Sequence, residues 1–294
     1  MYVGRFAPTP SGPLHFGSIV TAIGSYCDAK FNGGRWIIRI DDLDEERNID
    51  GADTDILRTL ESLGLQWDTH PIYQSQQKKY YGEWRHALSK KDDVYPCSCS
   101  RKILREHSVF KDGDWIYSGH CKLHFTENQT IRNHRFNLRQ PCTISINDIG
   151  QGLIAEDLCV TSGDFVVFKA DGTPSYHLAS VLDDHRLGIT HVVRGRDLLR
   201  SSLRQAELQK TLGQITPSFL HLPLVKNEAG QKLSKQNKAG PINGKAPKKV
   251  LIDALRFLHQ NPPRELLSSS LEEILIWASE HWDTSAIHSR PADN

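Results

Sequence analysis

The amino-acid sequence predicts an α/β protein built on a parallel sheet. Residues 2–6 form a short strand pattern, and a loop rich in proline separates it from a helical pattern over 16–31. A second strand over 34–40 is followed by an amphipathic helix over 50–64, and strand signals return at 164–168 and 189–193. Strands that alternate with helices along a chain usually pair in parallel, because each helix carries the chain back across the sheet.

The first elements have the clearest residue patterns. The loop over 7–13 contains three prolines and a glycine, which exclude regular structure. The helix over 16–31 presents an apolar face at helical spacing, formed by Ile19, Val20, Ile23 and Tyr26. The helix over 50–64 has an inward face formed by Ile56, Leu57, Leu60 and Leu63. A further helix is expected over 76–90.

The rest of the chain predicts an interrupted sheet. Residues from 95 to about 147 are rich in Cys, His, Asp and Asn and have no long periodicity, so we interpret them as an insertion. Helices are expected near 175–182, 198–212, 247–260 and 271–282. The predicted organisation is a first half of the main domain over 1–94, the insertion over 95–147, a second half over 148–240, and a short helical region over 241–294 that is too short for a further domain of typical size.

Composition limits the possible functions. The chain has 294 residues, 38% hydrophobic and 24% charged, which is typical of a globular protein. Lys and Arg total 36 against 35 for Asp and Glu, so any nucleic-acid partner must bind a local basic surface. Neither an apolar run long enough to cross a membrane nor a secretory pattern is found, so we expect a cytoplasmic protein without a membrane partner.

The first candidate site is the loop that enters the helix at residue 16. His15 and Gly17 lie where unpaired backbone N–H groups and the positive end of the helix dipole favour a phosphate. Gly17 lets a flat base approach the backbone, and His15 can donate to phosphate oxygens. A turn rich in proline that ends in a helix-capping histidine would have the same pattern, so the motif alone leaves both interpretations open.

The second candidate site is a loop with lysines at Lys232 and Lys235. Glycine precedes it, and Ser234 lies between the two lysines. A mobile loop with two cations can close over a triphosphate and stabilise charge that develops at the α-phosphate. An ordinary solvated loop has the same composition, so this pattern also needs support from the rest of the sequence.

The third candidate site is a group of thiols. Cys97 and Cys99 have Cys-x-Cys spacing and Cys121 follows, a set of soft ligands that suits zinc. The spacing leaves the fourth ligand open among His107, Tyr117, His120 and His124. Buried free thiols are the alternative. The remaining cysteines are expected to be reduced and packed as small apolar side chains; they are Cys27, Cys142 and Cys159.

Taken together, the motifs resemble class I aminoacyl-tRNA synthetases. A His-x-Gly turn near the N-terminus and a Lys-x-Ser-Lys loop after the sheet resemble the two ATP signatures of that class. Within it, three blocks are similar to the glutamyl branch, namely GRFAPTPSG from residue 4, RIDDLD from residue 39 and VRGRDL from residue 193. The chain most resembles the short paralogues that attach glutamate to queuosine in tRNA(Asp), because no anticodon-binding half follows.

The resemblance implies a Rossmann-like catalytic domain with a zinc-bearing insertion and an assignment for each site. Catalytic roles fall to His15, Lys232 and Lys235. The implied ATP site comprises Pro8, Gly12, His15, Gly17, Ser18, Lys232, Ser234 and Lys235, with ATP bound as its Mg²⁺ complex. The implied glutamate site comprises Arg5, Ala7, Thr9, Asp41, Tyr176 and Arg194. The implied structural zinc site comprises Cys97, Cys99, Tyr117 and Cys121, with His120 as the alternative fourth ligand.

One position departs from the family pattern. The family usually has Glu where this chain has Asp41, and Asp42 next to it complicates the assignment. Without the resemblance, Arg39 and Asp41 would be interpreted as an exposed ion pair at a strand end. The shorter carboxylate of Asp41 can reach a substrate ammonium through water or after a small backbone shift.

The implied activity is ATP-dependent formation of glutamyl-adenylate, followed by transfer to queuosine in the anticodon stem-loop of tRNA(Asp). Two other interpretations stay open. One is a truncated glutamyl-tRNA synthetase that charges the 3′ end of tRNA. The other is a catalytically silent RNA-binding paralogue, which would not need both His15 with Gly17 and the two loop lysines.

Overall fold

The structure is a computed structural model, and it describes residues 1–111, 114–225 and 246–288. The strands of the described part are β1 (Val3–Phe6), β2 (Arg35–Ile40), β3 (Ile72–Tyr73), β4 (Val94–Cys97), β5 (Val109–Lys111), β6 (Asp114–Ile116), β7 (Asn133–Phe136), β8 (Thr143–Asp148), β9 (Gly152–Asp157), β10 (Val166–Lys169), β11 (His191–Gly195) and β12 (Ser218–Leu222). The helices are α1 (Phe16–Phe31), α2 (Ala52–Ser62), α3 (Lys78–Ser89), α4 (Arg101–His107), α5 (His120–His124), α6 (Leu158–Thr161), α7 (Tyr176–Arg186), α8 (Leu199–Leu212), α9 (Pro247–Phe257) and α10 (Leu271–Glu280).

The largest sheet in the described part has seven strands in the order β3-β2-β1-β11-β12-β8-β9. All neighbours from β3 to β8 are parallel, and only the β8–β9 pair at the edge is antiparallel. The strand order therefore reverses between β1 and β11. In open parallel sheets, ligands bind outside the carboxyl ends of the strands at such a reversal.

Both faces of this sheet are covered. Along β2, Trp36, Ile38 and Ile40 belong to one apolar core, whereas Ile37 belongs to the other. This alternation follows from the two-residue period of a strand. Helices α1, α9 and α10 pack on the first face, and α7 and α8 pack on the second. The polar motifs must consequently lie at the strand ends.

The parallel α/β architecture predicted from the sequence is confirmed, and the helix expected over 16–31 has the same bounds as α1. The strand expected at 164–168 is present as β10, but it does not complete the main sheet. It lies in a separate antiparallel sheet of order β10-β7-β4. The β8–β9 hairpin was not predicted, and β8 belongs to the main sheet although it begins inside the range predicted as an insertion.

None of the helices in the described ranges is long and apolar enough to cross a membrane.

Candidate active site and cysteine cluster

A cavity of about 430 Å³ opens where the strand order reverses. Its walls are the segments that follow the carboxyl ends of β1, β11 and β12 together with the start of α1. Ten of the predicted site residues line it: Arg5, Ala7, Pro8, Thr9, His15, Gly17, Ser18, Asp41, Tyr176 and Arg194. The fold therefore brings together, around one cavity, residues predicted to bind ATP and residues predicted to bind glutamate.

The N-terminus of α1 forms one wall of this cavity. His15 is the N-cap residue, and its Nδ1 accepts a hydrogen bond from the backbone N–H of Ser18 at 3.2 Å. Gly12 is buried and has a φ of 117°, in the left-handed region that favours glycine, so it shapes the preceding turn without lining the cavity. The helix dipole and backbone N–H groups at this end favour an anion.

Arg194 is a buried cation at the cavity wall. It lies at the end of β11 and is 3% exposed. Its Nη1 donates to the Tyr176 hydroxyl at 3.2 Å, and its Nη2 donates to Ser202 at 2.6 Å and to Gln205 at 2.8 Å. Within the described ranges no carboxylate forms an ion pair with it. Burial lowers the pKa of Arg194 and outweighs the carboxylates of Asp184 and Asp197, which act to raise it.

A network of buried ion pairs forms the opposite side of the site. Asp184 accepts from Arg5 Nε at 3.2 Å and from Arg39 Nη1 at 2.6 Å, and Arg39 Nε donates to Asp41 at 2.7 Å. Burial acts to raise the pKa of Asp184, but the two guanidinium groups outweigh it and the pKa is lowered. Asp41 is therefore held by a fixed cation beside the cavity.

This network corrects one interpretation of the sequence. Arg39 and Asp41 do form an ion pair at the end of β2, but the pair is buried, since Arg39 is fully buried and Asp41 is 8% exposed. Sequence reasoning missed Arg39 and Asp184 as parts of the site. The usable signal was the Asp183-Asp184 pair within α7, because acids on a helix face that packs into a core need cationic partners.

The lysine loop cannot be placed. Lys232, Ser234 and Lys235 lie outside the described residues. Val225, the last described residue before that loop, lines the cavity. Cavity residues that sequence reasoning did not assign to a site include Arg47, Val193, Asp197, Leu198 and Leu224.

Three thiols meet in the insertion, as their spacing predicted. The ligand atoms of Cys97, Cys99 and Cys121 all lie within 4.8 Å of one another, and all three residues are buried. The Tyr117 hydroxyl is 3.6 Å from both Cys97 Sγ and Cys99 Sγ, and Cys99 Sγ is 3.3 Å from Cys121 Sγ. Tetrahedral zinc places its ligand atoms roughly 3.5–3.8 Å apart, so this donor set fits the ion.

The surroundings of the cluster favour a thiolate at Cys121, whereas burial raises the pKa of Cys99. Arg135 donates to Cys97 Sγ at 3.3 Å, and its guanidinium lies 3.6 Å from the centre of the Tyr117 ring. Burial acts to raise the pKa of Cys121, but hydrogen bonds from Tyr117, Cys99 and Ser98 lower it to about 6. Thiolates are the form that binds metal.

The histidines near this cluster are arranged differently. The rings of His107 and His120 stack at 4.5 Å, and those of His120 and His124 lie 5.0 Å apart. In the described part of the chain, none of these histidines places a ring nitrogen within the group of ligand atoms formed by the three thiols. The geometry therefore favours Tyr117 over His120 as the fourth donor.

Two of the remaining cysteines correct the expectation of reduced thiols. Cys142 and Cys159 are joined by a disulfide, with their Cα atoms 5.8 Å apart. The hairpin of β8 and β9 brings them together, because Thr143 pairs with Asp157 in its register. Cys27 is a buried free thiol in α1, as expected.

Comparison with known proteins identifies the family of this chain. A family profile described as the catalytic domain of class I tRNA synthetases (E and Q) matches residues 2–249. Proteins named glutamyl-Q tRNA(Asp) synthetase are similar along nearly the whole chain. The protein from Aromatoleum aromaticum is 44% identical over 96% of this chain and 89% of its own, and the protein from Vibrio cholerae is 41% identical over 97% and 92%.

A solved structure shows the same fold. The glutamate tRNA ligase of Elizabethkingia meningosepticum, crystallised with its amino acid, has a TM-score of 0.83 and 27% sequence identity. The alignment covers 99% of this chain and 66% of that ligase, so this chain spans about two thirds of the ligase's length. This chain is therefore a ligase that belongs to the class I tRNA synthetase (E and Q) family, in the branch formed by the glutamyl-Q tRNA(Asp) synthetases.

Proposed function

We propose that this protein activates L-glutamate with ATP and transfers it to queuosine at the wobble position of tRNA(Asp). The names of its relatives support the tRNA and its modified base. The cavity supports the amino acid and the nucleotide. Arg194 carries the argument, since a buried guanidinium without a carboxylate partner in the described part of the chain is a receptor for the carboxylate of a ligand.

Glutamate fits the charges around this cavity. Its side-chain carboxylate can accept one hydrogen bond from Arg194 Nη1, which faces Tyr176, and another from the Tyr176 hydroxyl. Its ammonium can pair with Asp41, which Arg39 holds at the wall. Its second carboxylate is then left to face the N-terminus of α1, where a nucleotide phosphate would lie.

The reaction would proceed in two displacements. In the first, a glutamate carboxylate oxygen attacks the α-phosphorus of Mg-ATP, and the bond to pyrophosphate breaks. In the second, a hydroxyl of the queuosine cyclopentene-diol attacks the acyl carbon, and AMP leaves with the phosphate oxygen. His15 and the α1 N-terminus would bind phosphate oxygens, and Lys232 and Lys235 would stabilise the charge that develops during the first step.

We also propose that the cysteine cluster holds a structural zinc ion through Cys97, Cys99, Tyr117 and Cys121. The interatomic distances and the nearby Arg135 support this donor set. Bound zinc would link β4 to the segment around α5, which otherwise has a small apolar core.

Two assays test the proposed activity. Glutamate-dependent exchange of pyrophosphate into ATP should occur without tRNA, because the residues proposed to bind glutamate all belong to the catalytic domain. Labelled glutamate should then appear on tRNA(Asp) that contains queuosine, and not on tRNA(Asp) lacking it or on tRNA(Glu). Label at the 3′ end of tRNA(Glu) would instead indicate a glutamyl-tRNA synthetase, and absence of exchange under all conditions would indicate a silent paralogue.

A further inference from the structure

A buried Asp–His pair lies behind the cavity and has no part in the chemistry described above. Asp148 ends β8, His221 lies in β12, and both side chains are fully inaccessible to solvent. His221 Nδ1 is 2.6 Å from Asp148 Oδ2. Neither residue lines the cavity. A buried titratable pair of this kind requires a physical reason, because its desolvation is unfavourable.

The hydrogen bonds fix the tautomer of His221. Asp148 accepts the Nδ1–H, which leaves a lone pair on Nε2. Arg194 Nε donates to that Nε2 at 3.3 Å, and a guanidinium has no acceptor, so the contact requires the lone pair. Burial lowers the pKa of His221, Asp148 acts to raise it and Arg194 acts to lower it, and the net direction is downward. His221 Nε2 is consequently a neutral acceptor for Arg194 Nε and also for the Ser202 hydroxyl, whose Oγ lies 2.9 Å away.

Asp148 is itself held in place by the turn between β8 and β9. Its Oδ1 accepts from the backbone N–H groups of Gly150 at 2.9 Å and Gln151 at 2.8 Å. The backbone N–H of His221 also approaches this oxygen, at 3.4 Å. The edge hairpin of the sheet is thereby connected through two side chains to the cavity wall.

On the far side of this connection, Arg194 reaches the cavity. Its Nη1 contacts the Tyr176 hydroxyl, and its Nη2 is held by Ser202 and Gln205. The contact with His221 holds Nε, the third nitrogen of the guanidinium group, and so helps to fix the orientation of its plane. Loss of that contact would let the plane rotate, and the direction in which Nη1 donates to a carboxylate depends on the plane.

We propose that Asp148 and His221 are positioning residues that orient Arg194 for the substrate carboxylate. The proposal rests on the proposed function of the cavity, because it needs glutamate to be the ligand of Arg194. It assigns a role in substrate affinity to a hairpin turn that does not touch the substrate.

Two matched variants of His221 separate positioning from simple packing. In His221→Asn the amide nitrogen can replace Nδ1 and keep the bond to Asp148, but no acceptor remains at the position of Nε2. In His221→Gln the amide oxygen can replace Nε2 and accept from Arg194, while Asp148 loses its partner. We expect the KM for glutamate in pyrophosphate exchange to rise at least about 10-fold in the Asn variant and less than about 3-fold in the Gln variant.

The outcomes are distinct. Equal KM values in the two folded variants would overturn the proposal, whatever their stabilities. Should either variant fail to fold, the nearly isosteric Asp148→Asn decides, because an amide can stabilise the other His tautomer and so remove the acceptor from Arg194. A glutamate KM unchanged in Asp148→Asn would contradict the proposal. Wild-type protein without glutamate-dependent exchange would contradict the proposed function instead.

Discussion

At the residue scale, the cavity combines two kinds of cation. Arg5 and Arg39 are neutralised by Asp184 and Asp41, so they form a rigid wall whose charges are already satisfied. Arg194 has neutral partners in the described part of the chain, and its charge is available to a ligand. This difference is the reason why we propose Arg194 as the carboxylate-binding position within a site that has several arginines.

Replacing Arg194 with Gln tests this assignment. The glutamate KM should rise by at least about 30-fold, equivalent to about 2 kcal/mol, because the buried partner of the substrate carboxylate is removed. The free energy of unfolding should fall by less than about 1 kcal/mol, since the variant also removes a buried charge that pairs with no carboxylate in the described part of the chain. Steady-state exchange kinetics and urea denaturation measure the two quantities.

Arg194→Lys is the matched control for that variant. It keeps the positive charge but lacks the planar fork, so its KM should lie between those of the wild type and of Arg194→Gln. A glutamate KM unchanged in Arg194→Gln would mean that another group binds the carboxylate.

The sequence predicts residues of this site more readily than their partners. Arg5, Asp41 and Arg194 stand in short blocks that resemble a known family, and all three line the cavity. Asp184 does not stand in such a block. It contacts Arg5, which lies 179 residues earlier in the chain, only because α7 packs against the sheet that contains β1. The two adjacent acids of α7 indicate that a cationic partner is needed, but which residue they contact depends on the tertiary fold.

At the element scale, the part of the insertion from about 95 to 125 differs from the main sheet in how its order is maintained. Its core consists of Cys97, Cys99, Tyr117 and Cys121 with a few partly buried apolar side chains around them. Nearby apolar side chains such as Val109 and Phe110 are exposed, at 64% and 59%. Hydrophobic burial alone therefore contributes little to the stability of this segment.

Cys99→Ser should release zinc and disorder the segment from about 95 to 125. Structural zinc in small modules supplies much of the folding free energy, so loss of one thiolate should unfold the segment locally. Activation of glutamate should be affected less than transfer to tRNA, because the cavity belongs to other elements. Metal analysis, hydrogen exchange and the two activity assays measure these effects.

Cys27→Ala provides the control, because Cys27 is a buried free thiol in α1 away from the cluster. It should retain the full metal content. Full metal content in Cys99→Ser, or equal loss of both activities, would contradict the prediction.

Elements were predicted well where one periodicity continued for several turns. The helix α1 has a long apolar face and was predicted with its exact bounds. The strand β10 was found, but its membership in the second sheet depends on pairing with β7 and could not be read from four residues. The β8–β9 hairpin was missed because β8 exposes polar residues, as a loop does, and β9 exposes Leu153 and Ala155, so its apolar residues do not mark an inward face.

At the scale of the whole molecule, the C-terminal helices belong to the core of the catalytic domain. Leu251 and Leu255 of α9 and Ile274 of α10 are buried in the same cluster as Ile19 and Ile23 of α1. The indole Nε1–H of Trp282 donates to Asp28 of α1 at 2.9 Å. Helix α1, whose N-terminus forms one wall of the cavity, is thus supported by residues that lie more than two hundred positions later in the chain.

Leu255→Ala should destabilise the catalytic domain as a whole. The side chain is 1% exposed, and truncation of a buried leucine to alanine costs about 2–5 kcal/mol through lost burial and the cavity left behind. Because α9 and α1 share one core, urea unfolding followed by circular dichroism and by glutamate-dependent activity should shift together to a lower midpoint with an unchanged slope. Arg256→Ala, at an exposed position of the same helix, should shift neither curve by more than about 0.5 kcal/mol. An early partial transition in Leu255→Ala that leaves the activity midpoint in place would show that the C-terminal helices unfold as an independent unit.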